Sequence, residues 1–160
     1  MRIHFLGTGS SAGTPVIGCD CPVCRGDEPR NQRSRASIVV ENEGTRILID
    51  TGPDLRTQML RAGIQSLDAV FYTHFHADHI NGIDDLRAFN FLAKKVIPCF
   101  ADARTAAELE GRFRYCFLPP DPGWGDIFWQ AAPQGMVVEL VSHVGEQGLF
   151  GGNARSNRQH

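Results

Sequence analysis

The sequence predicts a single α/β domain of layered build. Three observations carry that reading. Strand-like and helix-like segments alternate after a β-rich opening, the pattern of a sheet flanked by helices. The 160 residues are 42% hydrophobic and 21% charged, which suits one packed core. The residues richest in chemistry follow directly on a predicted strand, where α/β folds place their sites.

The opening RIHFLGTG reads as a first strand running into a glycine-rich turn. Residues 10–35 hold Gly, Pro, Cys and Arg without a sustained period, so they predict a long ordered loop. ASIVVEN and TRILIDTG follow, separated by Glu43 and Gly44, and predict a hairpin. PDLRTQMLRAG places proline at a first helical position and glycine at the end, with Leu55, Met59 and Leu60 at helical spacing. DAVFYT is a further strand that leads into His74. INGIDDLRAFNFLAK predicts a helix with Ile83, Leu86, Phe89 and Leu92 on one face. KVIPCFA is strand-like, and DARTAAELEGRFRY is a helix with Asp102 as N-cap. Beyond it, residues 117–135 read as a Pro- and Trp-rich loop and MVVELVSH as a last strand. The expected organisation is one domain over residues 1–142 and a disordered tail over 143–160.

Composition removes several functional classes. A net charge of −2 argues against an unaided electrostatic nucleic-acid binder. No apolar run approaches the ~20 residues of a membrane helix. The apolar opening is too short for a secretory signal, so a cytoplasmic protein is the expectation.

The stretch YTHFHADHING packs His74, His76, Asp78 and His79 into six positions. In an extended segment, residues two apart point the same way. His79 adds a nitrogen where the chain turns into a helix. Imidazole and carboxylate are transition-metal ligands, with zinc the commonest case. Four ligands this close would strain one tetrahedral ion, so two adjacent ions fit better. Surface histidines beside an incidental aspartate are the plainer alternative. Asp50, before Thr51 and Gly52, has the plain reading of a turn former. Cys19, Cys21 and Cys24 have the form C-x-C-x2-C and could hold a structural zinc given a fourth ligand, or be ordinary thiols in a loop. Cys99 and Cys116 read as small buried hydrophobes. Arg25, Arg30, Arg33 and Arg35 could meet phosphate through forked hydrogen bonds, but a solvated loop of mixed charge is the simpler reading.

THFHADH after ILIDTG resembles the signature of the metallo-β-lactamase superfamily of hydrolases. The N-terminal block GTGSSAGTPVIGCDCPVC with PRNQRSRAS is similar to the branch containing the cyclic-phosphodiesterase accessory protein of the carbon–phosphorus lyase pathway. The likeness extends to protein B of pyrroloquinoline quinone synthesis and covers roughly residues 1–120. It implies a metallo-β-lactamase-like αββα sandwich, of which this chain supplies mainly the N-terminal half. It implies two divalent ions, Zn or Mn, one on His74 and His76 and the other on Asp78 and His79. It makes Asp78 the catalytic residue that orients a metal-bridging hydroxide, Asp50 a brace of the metal loop, and the three cysteines a structural zinc site. The implied activity is hydrolysis of a small-molecule phosphodiester. A catalytically incomplete metal-binding remnant or an accessory carrier is the alternative.

The family pattern needs three more ligands downstream. Only His143 and His160 follow His79, and no acid beyond Glu110 lies in the strand-then-aspartate context of a bridging ligand. His143 is the candidate third histidine, and a truncation or frameshift would account for the rest. Half a sandwich would leave one sheet face uncovered, which predicts instability or a homodimer.

Overall fold

The fold comes from a computed structural model that describes residues 1–117 and 138–140. The described residues form one six-stranded sheet in chain order, β1 to β6, with helices on the crossovers. Strands β1 (Arg2–Gly7), β2 (Ser37–Asn42) and β3 (Thr45–Ile49) pair antiparallel. Strands β4 (Ala69–Phe71), β5 (Cys99–Ala101) and β6 (Val138–Leu140) then extend the sheet in parallel from β3. The mixed α/β class expected from the alternation is therefore observed.

Each change of direction has a local cause. Glu43 and Gly44 both take positive φ, 50° and 86°, which gives the tight two-residue hairpin between β2 and β3. Helix α2 (Leu55–Ala62) stops at Gly63, whose φ of 66° is the left-handed cap that glycine adopts without penalty. Helix α5 (Ala103–Arg112) starts on Asp102, whose carboxylate accepts from the Arg104 and Thr105 amides. The long loop between β1 and β2 carries the single helical turn α1 (Pro22–Arg25) and a 3-10 turn over Pro29–Asn31. Backbone bonds from Gly9 to Ser34 and between Thr14 and Arg33 close its base.

Three elements differ from expectation. Pro53 lies in a turn ahead of α2, and the Asp54 side chain does not cap the helix. It binds the Arg35 amide and guanidinium instead, so a tertiary ion pair outcompetes local capping. The predicted helix over 80–94 is broken into α3 (Ala77–Ile80), a 3-10 turn (Ile83–Asp85) and α4 (Leu86–Ala93). Ile83, Leu86 and Phe89 are buried as expected, but Leu92 is 68% exposed. Asn90 takes the inward position and accepts the Ile97 amide, which ties α4 to the approach to β5.

The core lies on one side of the sheet. Leu6, Val39, Leu48, Val70 and Cys99 are fully buried there with Leu55, Met59, Ile80, Leu86 and Leu109 from the helices. On the opposite side Phe5 is 71% and Ile3 46% exposed, and Ile38, Ile49, Phe71 and Phe100 are only partly buried. Those four face one another across β2–β5 in register, with Phe71 and Phe100 stacked 4.6 Å apart. One apolar face is thus left open among the described residues, as half a sandwich would leave it. The expected loop over 118–137 and everything beyond Leu140, His143 included, lie outside the described residues.

Candidate metal centres

Strand β4 ends at Phe71, and the chain then runs through a loop, bent at Thr73, to His76 at the start of α3. Both ends of this loop are held by the three residues that follow β3. Asp50 is buried and sits at φ 64°, a left-handed conformation uncommon outside glycine and often found at functional sites. Its carboxylate accepts the Thr73 amide at 2.8 Å and the Thr73 hydroxyl at 2.7 Å. The same carboxylate meets His79 Nδ1 at 2.8 Å. Thr51 donates its amide to the His79 carbonyl and its hydroxyl to Tyr72 Oη, and it accepts the Gly82 amide.

The packing is tight enough to explain both glycines. A Cβ on Gly52 would lie 2.5 Å from the Asp78 carbonyl oxygen, and one on Gly82 would lie 2.1 Å from the Gly52 carbonyl oxygen. Only bare backbone lets β3 approach the loop this closely.

The loop sets the four predicted histidine-centre residues beside one another in pairs, but no three of their ligand atoms lie within 4.8 Å of one another. The rings of His74 and His79 are 4.0 Å apart at their centroids, and those of His74 and His76 are 4.7 Å apart. Asp78 Oδ2 is 3.2 Å from His79 Nε2. Thr73 Oγ1 sits 3.0 Å from His74 Nδ1. His74 and His79 each have Nδ1 engaged by the protein, by Thr73 and Asp50, while His79 Nε2 lies against Asp78 within the loop. That is the pattern in which a hydrogen-bond partner orients a metal-binding histidine.

The cysteine loop is built differently. Cys19, Cys21 and Cys24 place their sulfurs all within 4.8 Å of one another, the only such group of three or more potential ligands among the described residues. The Val16 amide donates to Cys24 Sγ at 3.4 Å, and the Cys19 amide donates to the Val16 carbonyl. Cys21 precedes Pro22 at the start of α1. The Cys24 amide, followed by the neighbouring thiols of Cys19 and Cys24, pulls the Cys21 thiol down to about 7. At Cys24 the Val16 amide pulls down, but the Cys19 and Cys21 thiols push the group up overall, so of these two the environment favours at Cys21 the thiolate that metal binding needs. Burial has the opposite effect on Cys99, whose thiol is pushed up to about 12 and stays neutral in the core.

Charge near the histidine loop comes from a helix the sequence reading did not connect to it. Arg112, in the last turn of α5, donates to the Phe75 carbonyl, and both it and Arg104 lie over the Phe75 ring. Arg112 is 37 positions from Phe75 and Arg104 is 29, and no local pattern links them.

The sequence resemblance is borne out by comparison with known proteins. The chain belongs to the β-lactamase superfamily domain family, which it matches over residues 45–148. A crystal structure of a diphosphatase from the PhnP family superposes with a TM-score of 0.76 at 37% identity, over 92% of this chain and 52% of that one. Zinc-bound PqqB from Methylobacterium extorquens superposes with a TM-score of 0.59 at 25% identity, over 70% of this chain and 43% of that one. An octanoyltransferase of Porphyromonas gingivalis is 42% identical over 125 residues, which is 77% of this chain and 25% of that protein. The chain thus spans about half the length of these solved relatives and a quarter of that curated one. No helix among the described residues is long and apolar enough to cross a membrane.

Proposed function

We propose that this chain is the metal-binding part of a metal-dependent hydrolase that cleaves a small-molecule phosphodiester. The observation that carries the proposal is the gathering of His74, His76, Asp78 and His79 on one loop whose two ends are hydrogen-bonded by a single buried carboxylate, Asp50. The donor set is three imidazoles and a carboxylate, which fits divalent zinc or manganese. Four ligands on one short loop suit two ions better than one. The likeness to a PhnP-family diphosphatase supports phosphorus as the centre attacked.

Two divalent ions in this cluster would offset the charge of an anionic phosphoester and lower the pKa of water toward neutrality. The protein's own part is positional. His74 and His76 would hold one ion, and Asp78 and His79 the other. Asp50 fixes the His79 ring through Nδ1, so that Nε2 faces the cluster. Asp78 would be the acceptor within the cluster and would orient an attacking water. Cys19, Cys21 and Cys24 would hold a third ion of purely structural role, with zinc the thiolate-preferring choice.

The test is metal content followed by hydrolysis of bis(p-nitrophenyl) phosphate, with His76→Ala as control. Two ions among the histidines and turnover that the substitution abolishes are the expected result. Metal uptake without turnover would reduce the chain to a binding domain, and no uptake among the histidines would refute the reading.

A further inference from the structure

The proposed centre is held at its two ends by residues 50–52, yet its middle is not. His74, Phe75 and His76 lie between those clamps. Besides the His79 and Ile80 amides of α3, which donate to the His76 carbonyl, the hydrogen bond this middle receives from a distant element among the described residues is from Arg112 Nη1 to the Phe75 carbonyl, at 3.2 Å. The Phe75 ring packs against the core cluster, while the His74 and His76 rings meet each other. Over Phe75 stand two guanidinium groups of α5, Arg104 at 4.5 Å and Arg112 at 5.7 Å from the ring centroid. Glu108, one turn earlier in α5, pairs with Arg112 at 2.7 Å and aims its fork. The helix itself is well anchored, because Thr105, Ala106 and Leu109 are buried and Asp102 caps its start.

We infer that Arg112, supported by Glu108 and Arg104, is a positioning residue for the histidine centre. It acts through Phe75, whose carbonyl it binds and whose ring it covers, between His74 and His76 in the chain. The inference rests on the proposed metal site. Fixing Phe75 removes the freedom of the two flanking imidazoles to swing apart. The physical benefit is preorganisation, since disorder removed before binding does not oppose the ions when they arrive. The Arg112 side chain is 43% exposed, so its truncation should leave the fold intact.

Cobalt titration of the purified chain separates the possibilities, because imidazole and thiolate centres have distinct absorption. Arg112→Ala should weaken cobalt uptake at the histidine centre about tenfold. The thiolate-to-cobalt band of the cysteine loop should not change, nor should the melting temperature. Arg112→Lys keeps a donor and should recover part of the loss. Arg104→Ala, which removes only a ring contact, should cost roughly threefold. Undiminished histidine-centre affinity in Arg112→Ala would overturn the inference. Wild-type protein that shows the thiolate band but takes no cobalt among its histidines would sink the proposed function itself, and this inference with it.

Discussion

The histidine loop and the cysteine loop both gather metal-capable side chains within six residues, but they are held by opposite means. The histidine loop is tied from a distance. Asp50 reaches it across 23 and 29 positions, and Arg112 across 37. The cysteine loop is tied mainly to itself, through contacts three to eight residues long such as Cys19 to Val16 and Val16 to Cys24. Its Arg25–Asp20 pair is solvent-exposed and contributes little. On the proposed reading, the site for chemistry would be prepared by the fold, whereas the structural site would depend more on its metal.

Breaking the long-range support should have the largest effect. Asp50→Ala removes three hydrogen bonds and leaves Thr73 and His79 without their partner. Metal affinity at the histidine centre should fall about 10- to 100-fold by competition with a chromophoric chelator, while the cysteine loop keeps its zinc. A smaller and opposite outcome is expected on chelation. Removing metal should expose Cys19, Cys21 and Cys24 to iodoacetamide, with zinc restoring protection, while the histidine loop keeps its conformation by NMR. Equal loosening of both loops would erase the contrast drawn between them.

The buried thiol sharpens the same point with a weaker effect. Cys99 should resist alkylation in the folded chain whether or not metal is present. Burial raises it from 9.0 to about 12, so its contribution to stability is complete below the ordinary thiol value and is lost as pH climbs through that interval. The unfolding free energy from urea titration should drop above pH 9, by roughly 1 kcal/mol per pH unit, and Cys99→Ala should flatten that decline.

Much of this was readable from residue order because the relevant signals are local. The spacing of His74, His76, Asp78 and His79 after an apolar strand needs no tertiary knowledge, and neither do the Gly63 stop or the Asp102 cap. What could not be read depends on partners far away in sequence. Leu92 fits a helical stripe, but the inward place goes to Asn90, whose amide oxygen satisfies the Ile97 amide. Pro53 looks like a first helical residue, but the helix starts at Leu55 and the Asp54 carboxylate pairs with Arg35. Gly52 and Gly82 carry a turn signal, yet their true requirement is backbone contact between them and Asp78. The grip of Arg112 on Phe75 is invisible in sequence for the same reason.

The most direct test is anomalous diffraction at the zinc edge from crystals grown with zinc and no chelator. The account predicts two peaks among the imidazoles of His74, His76 and His79 and the carboxylate of Asp78, and a third between the sulfurs of Cys19, Cys21 and Cys24. Imidazoles turned away from one another with no anomalous signal between them would contradict it.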